Sequence, residues 1–362
     1  MNIKIITIHS IPNFGSAFQA YALETFLKRH GHTVETIDYQ PSYFLPHTFR
    51  SMVGVFLNFK SYQKRKKKFS HFIMTNMNLT KKRYTNKNDF IENPIKADVF
   101  ISGGDQLWNP FHDCGNDDVY KLAFTESTKM SYGTSMGKNN FSKAELENLS
   151  KSLNSFSFVS VRESSSVTLL ESIGIKAQHC VDPVLLLESS DYMQFVRRPN
   201  IDKYMLVYLV APSPLLDETI KYISNKLHVK VVLCSGFSQK CNCDIFLKDL
   251  GPEEILSYIA YADFVLSASF HATLFSIIFK KHFATLLPDE NTNERIEDLL
   301  NWNSFTNRII RNTKNLTPFL FDEIKYDDNH NKVIKEKVDT SKKLLLGELT
   351  SLSDQGNVCK NS

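Results

Sequence analysis

Gly251 to Leu287 reads GPEEILSYIAYADFVLSASFHATLFSIIFKKHFATLL, and the period of its apolar residues changes twice. Ile255, Ile259 and Ala262 recur at helical spacing, Asp263 ends that run, and Phe264 to Leu266 is an apolar stretch short enough to be a buried strand. Ser267-Ala268-Ser269-Phe270-His271 follows, and Leu274, Ile277 and Ile278 then restore the helical period. This order of helix, strand, loop, helix, strand predicts a parallel sheet. His271 then falls just past the carboxyl end of a strand and at the amino terminus of the next helix. Ligands of open α/β sheets bind at that edge, and the free N–H groups of a helix start favour an anion.

The same alternation opens the chain. Ile3 to Ile8 reads as a buried strand, His9 to Gly15 as a loop, Ser16 to His30 as a helix stopped by Gly31, and Thr33 to Asp38 as a second strand. The turn IPNFGS holds one glycine and is no dinucleotide fingerprint, which excludes NAD. Ser16 is read as the helix cap and Asn13 as a turn residue; both are candidate acceptor contacts, with an ordinary cap as the competing reading.

Further on, Val99 to Ser102 is a short apolar strand that runs into Gly103-Gly104-Asp105-Gln106-Leu107-Trp108-Asn109-Pro110. The glycines allow close backbone approach, and Asp105 and Gln106 project polar groups over the sheet edge. Carboxylate, amide and the Trp108 indole together suit a sugar surface; the alternative is a structural turn with Trp108 packed beneath. Met130 to Gly137 reads as a strand and Ser142 to Leu153 as a helix. Val159 to Val161 repeats the pattern and leads into Arg162, which either forks onto a carboxylate or phosphate or pairs with Glu163. Val181-Asp182-Pro183-Val184 marks a turn.

A break at Arg198-Pro199-Asn200 divides the chain, giving an N-terminal Rossmann-like domain over 1–198 on the acceptor side and a C-terminal one over 199–340 on the donor side. A C-terminal helix and disordered tail follow over 341–362. In the second half Tyr204 to Val210 is a strand, Leu215 to Leu227 a helix and Val229 to Cys234 a strand. A polar loop from Pro288 then starts a helix carrying Arg295, a second candidate anion ligand near His271. The fold class expected is α/β, two Rossmann-like domains facing a cleft. His271, Arg162 and Arg295 stand on its anion side and Asp105 on the other wall. From pattern alone this is a transferase that uses an anionic donor.

Composition sets bounds on this reading. The 362 residues, 42% hydrophobic, suffice for two ordinary cores. The balance of 43 Lys+Arg against 39 Asp+Glu is too even to argue for nucleic acid as a partner. Six cysteines without paired spacing suggest reduced thiols in a cytoplasmic protein. MNIKIITIHS lacks the apolar core of a signal peptide, and no run reaches transmembrane length. KSYQKRKKKFSHF and KKRY, between Lys60 and Tyr84, concentrate positive charge among aromatics. They suggest peripheral contact with the inner face of an anionic membrane, or with a lipid-diphosphate acceptor; a solvated helix face is the alternative.

NFGSAFQAYAL, SGGDQLWNP, SYGTSMG, VRESSSVTLL, VDPVLLL, GPEEI and ADFVLSASFHATLFSIIF occur in that order between Ile3 and Leu300. Together they resemble the polysaccharide pyruvyl transferase family. The resemblance implies a GT-B-like fold and transfer of a pyruvyl group from phosphoenolpyruvate to a sugar of a capsule or exopolysaccharide, or of its lipid-linked oligosaccharide precursor, as a cyclic ketal. It makes His271 the active-site histidine and Arg162 the arginine of the family's VRE or VRD motif. Arg295, with Ser269, completes the donor set, where a lysine is common in the family. Ala272 replaces a glycine common after the histidine, and Gly103-Gly104-Asp105 a frequent Gly-Ser-Asp.

The implied chemistry needs a general acid for the methylene carbon of phosphoenolpyruvate, a role suited to His271, since histidine titrates near neutral pH. Asp105 is placed to take the proton of the attacking hydroxyl. Asn13, Ser16, Gln106 and Trp108 face the acceptor. No metal and no cofactor beyond the donor is expected, and neither HExxH nor a DxD at a strand end is present. A GT-B-type glycosyltransferase using a nucleotide sugar, and a non-catalytic carbohydrate-binding member of a capsule-assembly complex, are the alternatives.

Overall fold

The computed structural model describes residues 1–45, 58–137, 140–210, 212–235, 241–287, 294–302, 304–324, 326 and 328–360, with side chains left undescribed at 328–331 and 355–360. The polar loop expected from Pro288 to Asn293 lies outside the described residues.

Strands β1 (Asn2–Ile6), β2 (Thr33–Tyr39), β3 (Leu79–Tyr84), β4 (Val99–Gly103), β5 (Thr128–Tyr132) and β6 (Phe156–Phe158) form a parallel sheet in the order β3-β2-β1-β4-β5-β6. A small pair, β7 (Ser160–Val161) and β8 (Gln178–His179), follows. The second half builds another parallel sheet from β9 (Tyr204–Leu209), β10 (Lys230–Ser235), β11 (Ile245–Leu247), β12 (Phe264–Ser267), β13 (His282–Leu286) and β14 (Ile309–Ile310). Its order, β11-β10-β9-β12-β13-β14, repeats that of the first. Ile5 faces Ile101 across β1 and β4, and Val207 faces Leu266 across β9 and β12. Strand order reverses at those two pairs, and a parallel sheet opens its binding crevice at such a reversal. Asp105 follows β4 and His271 follows β12.

The helices are α1 (Phe14–Arg29), α2 (Phe59–Asn76), α3 (Lys87–Glu92), α4 (Lys143–Leu153), α5 (Ser164–Ser172) and α6 (Ser189–Met193) in the first half. Then come α7 (Leu216–Leu227), α8 (Pro252–Tyr261), α9 (Phe270–Ile278), α10 (Glu294–Trp302) and α11 (Asp328–Lys360). α1 is buried around most of its circumference, as suits a helix packed between two layers rather than on a surface. Phe14 lies 5.2 Å from Phe275 of α9 and 6.0 Å from Tyr208 of β9, and Phe18 lies 5.4 Å from Phe275. One apolar core therefore runs through both halves, from Ile3 and Ile5 to Val265 and Phe283.

α2 carries the basic run, which is not simply a solvated face. Lys68 Nζ reaches Glu254 Oε2 of α8 at 2.7 Å, and Lys64 Nζ lies 3.6 Å from Asp249, so cations of the first half meet carboxylates of the second. α11 returns to the first half: the Val181 N–H donates to Ser341 Oγ at 3.0 Å, and Leu345 and Leu349 join the shared core. Its backbone stays helical to Lys360, through most of the tail expected to be disordered, because the helix propagates from this anchored stretch. Among the described residues no helix is long and apolar enough to cross a membrane.

Candidate active site

The first wall of the cleft is the amino terminus of α1 together with the turn after β4. Gly104 turns the chain at φ +89°, where a side chain would also collide with Gln19. Asp105 is thereby set against α1, accepting from the Ser16 hydroxyl through Oδ2 and from the Gln106 N–H, 2.8 Å away, through Oδ1. Asn13, not Ser16, caps the helix, its Oδ1 accepting from the N–H groups of Gly15 at 2.9 Å and Ser16 at 3.4 Å. α1 starts two residues earlier than its apolar pattern suggests, which places Ser16 inside the first turn and frees its hydroxyl for Asp105. Trp108 is also corrected. It is 1% exposed, packs in the core with Tyr120, and donates from Nε1 to the Tyr120 carbonyl at 3.4 Å, so its ring is no sugar platform.

The second wall comes from the segment after β7 and the turn after β8. Arg162 is 3% exposed, which makes it no surface partner of Glu163. Its Nη1 donates to the Gly104 carbonyl at 3.0 Å and to Asp182 Oδ2 at 2.5 Å, and its Nε to Glu163 Oε1 at 3.4 Å. Glu163 also accepts from Ser135 Oγ at 2.5 Å. Asp182, which the sequence presents only as part of a turn, is fixed by the Val184 N–H at 3.0 Å.

The second half supplies the third wall. Ser269 caps α9 by accepting from the Ala272 N–H at 3.5 Å, leaving His271 in the first turn. His271 rests against the Gly15 backbone, and its Nε2 lies 3.4 Å from Asp182 Oδ2 without hydrogen-bond geometry. Phe270, beside it, lies under both cations, with the Arg162 guanidinium carbon 4.8 Å and that of Arg295 5.9 Å from its ring centre. Arg295 enters from α10. That helix is tied to the start of α5 by Ser164, whose N–H and hydroxyl each donate to Asp298 Oδ2 at 2.8 Å, and by Ser165 Oγ donating to Glu294 at 2.8 Å. With its amide oxygen turned to Arg295, Gln106 accepts from Nη1 at 3.0 Å and Nη2 at 3.2 Å.

Asp105, Gln106, Ser16, Arg162, His271 and Arg295 thus share one site, while Asn13 and Ser269 serve as the caps of the two helices that enter it. Asp182, Phe270 and Gly15 complete it without a signal in local sequence pattern beyond a carboxylate before proline and a glycine after a cap. The charges are tightly balanced. Burial would raise the Asp182 carboxyl, but facing His271 and Arg162 outweigh it and hold the group below the ordinary value. Burial and the like charge of Arg162 pull the Arg295 guanidinium down to about 10. Three buried nitrogens of the site, Arg162 Nη2, His271 Nε2 and Arg295 Nε, have no hydrogen-bond partner among the described residues. Buried polar nitrogens are ordinarily satisfied, so their coincidence here marks this cluster as the candidate site.

A family model described as polysaccharide pyruvyl transferase matches residues 13–290. No curated protein matches the chain. Among solved structures, UDP-GlcNAc 2-epimerase from Neisseria meningitidis bound to UDP-GlcNAc is similar over 97% of this chain and 100% of its own, with 11% identity and a TM-score of 0.54. The enzyme of that name from Rickettsia bellii is similar over 97% of this chain and 96% of its own, also at 11% identity and a TM-score of 0.54. The Methanocaldococcus jannaschii enzyme covers 90% of this chain and 94% of its own at 12% identity, with a TM-score of 0.52. At these identities the likeness is one of fold: two Rossmann-like α/β domains facing a cleft, GT-B-like.

Proposed function

The chain belongs to the polysaccharide pyruvyl transferase family, and from that premise we propose that it moves a pyruvyl group from phosphoenolpyruvate onto a sugar of a surface polysaccharide or its lipid-linked precursor, as a cyclic ketal. The observation that carries this reading is the pair of unpartnered buried guanidinium nitrogens on Arg162 and Arg295, beside the His271 imidazole. Phosphoenolpyruvate offers a carboxylate and a phosphate close together, and two guanidiniums flanking one aromatic ring match that charge pattern.

In this reading His271 donates a proton to the methylene carbon, leaving a cation-like centre at the adjacent carbon. One sugar hydroxyl attacks there, and Asp105 takes its proton. Phosphate departs as the carbon–oxygen bond breaks, and a second hydroxyl closes the ketal. Of the two hydroxyl protons, one balances that given to carbon and the other leaves with the phosphate. Arg162 and Arg295 neutralise the departing charge. The reading puts the protein in the cytoplasm, with exposed Lys66 and Lys67 of α2 toward the inner face of the membrane.

Thermal unfolding tests it, with phosphoenolpyruvate or a nucleotide sugar added in turn to the wild type and to His271→Ala, Arg162→Ala and Arg295→Ala. A ligand of the folded state at about a hundred times its Kd adds roughly 2.7 kcal/mol. Stabilisation by phosphoenolpyruvate that disappears in the arginine variants is expected. Stabilisation by the nucleotide sugar alone overturns the reading in favour of a glycosyltransferase.

A further inference from the structure

A polar cavity opens near the cluster of Arg162, His271 and Arg295. It measures about 200 Å³, and its lining includes Asn13, Arg65, Tyr208, Ser235 and Lys248. It lies at the carboxyl ends of β9 and β10, on the edge from which β12 delivers His271. Asn13 in its wall is two residues from Gly15, on which the imidazole rests. The cavity therefore adjoins the helix start against which His271 rests.

Arg65 is the residue of the basic helix that turns inward here. Lys64 and Lys68, on either side of it, bind carboxylates of the second half. Arg65 instead donates from Nη2 to the Pro12 carbonyl at 2.8 Å, with its guanidinium 5.6 Å from the centre of the Phe69 ring. Its buried Nε has no hydrogen-bond partner among the described residues. Lys248 approaches from the opposite half, its Nζ donating to Asn58 Oδ1 at 3.3 Å and standing 4.9 Å from the Phe246 ring centre. Among the described residues the lining holds these two cations and no carboxylate. Whole small-molecule sites usually enclose about 300–1,000 Å³, so this volume suits one group of a substrate.

We propose that this cavity binds a phosphate or diphosphate group of the acceptor, so that the sugar reaches His271 while its carrier is held by Arg65 and Lys248. The proposal rests on the reading of the neighbouring site as one that modifies a sugar. It names the acceptor's chemical class, a sugar esterified to a diphosphate, whether the other end of that diphosphate is a lipid or a nucleoside.

Calorimetric titration of the full-length protein with inorganic pyrophosphate tests it. Arg65→Gln and Lys248→Gln should each bind pyrophosphate roughly ten- to a hundredfold more weakly, the range for losing a hydrogen bond to a charged group. Arg162→Ala should bind it as the wild type does, whereas phosphoenolpyruvate should show the opposite pattern. If Arg65→Gln proves unfolded because the Pro12 contact is lost, Lys248→Gln carries the test. Equal pyrophosphate affinity in the wild type and the folded cavity variants overturns the proposal, as does a loss confined to Arg162→Ala. Competition by UDP or by a short prenyl diphosphate then assigns the carrier, and competition by neither also overturns it. Failure of phosphoenolpyruvate to bind the wild type sinks the donor reading, while the pyrophosphate titration still decides this one.

Discussion

The imidazole of His271 lies so close to Gly15 that a Cβ on Gly15 would stand 1.9 Å from Nδ1. The two residues come from opposite halves of the chain, so the position of the site's histidine is set by the missing side chain of a glycine across the cleft. Gly15→Ala has to push the ring aside, because the backbone carrying residue 15 is fixed in the first turn of α1. Turnover should fall on the order of a hundredfold or more, as for a misplaced general acid, with a stability loss of about 1–3 kcal/mol. Steady-state rates beside urea unfolding check this. An alanine variant with full activity would show that the imidazole works from another position.

Asp182 faces the Arg162 guanidinium at 2.5 Å and the His271 imidazole at 3.4 Å. Asp182→Asn keeps the shape and removes the charge, leaving Arg162 buried beside Arg295 with less compensation. Breaking a buried pair from one side costs about 3–5 kcal/mol, so the midpoint of denaturant unfolding should fall sharply. Phosphoenolpyruvate, by bringing negative charge, should stabilise this variant more than the wild type; equal stabilisation argues against the electrostatic account.

The Arg295 guanidinium, brought down to about 10 by burial and Arg162, gives a pH dependence. Its unfolded value is higher, so the charged group takes stability from the fold at neutral pH, and that loss is relieved as pH rises through 10. An anion reverses the preference by favouring the charged form. Phosphoenolpyruvate affinity should therefore stay level up to about pH 9 and then weaken as Arg295 loses its proton. Titration calorimetry across that range is the check, and an affinity that stays level would show that Arg295 keeps its proton there.

The charge of the donor is met in this scheme by guanidiniums. Turnover should therefore persist in excess chelator. Activity abolished by chelator and restored by a divalent cation would require a different arrangement for the departing phosphate.

Much of the architecture is legible because apolar periods change from strand to helix along β1 to β2 and again along β9 to β13. The edge strands are harder. β3, LTKKRY, carries exposed lysines and an arginine on an outer strand, a pattern that blunts sheet edges, and in sequence it merges with the basic run before it. β11 is three residues long and half-buried, which leaves little period to read. Within the site, His271, Arg162 and Asp105 are visible because each follows a strand. Asp182, Phe270 and Gly15 acquire their roles only when the halves meet, and spacing along the chain carries no record of that. Trp108 misleads for a related reason: an indole beside polar residues looks alike in sequence whether it faces a sugar or the core beneath.

α11 carries a consequence for the birth of the protein. Synthesis runs from the amino terminus, and first halves of two-domain chains tend to fold as they emerge. Here Ser341, Leu345 and Leu349 close the first half beside Asp182, yet they are made only after the whole second sheet. The nascent first half therefore waits with an uncovered apolar seam until the second half and α11 have been made, and the cleft between the halves is closed only then.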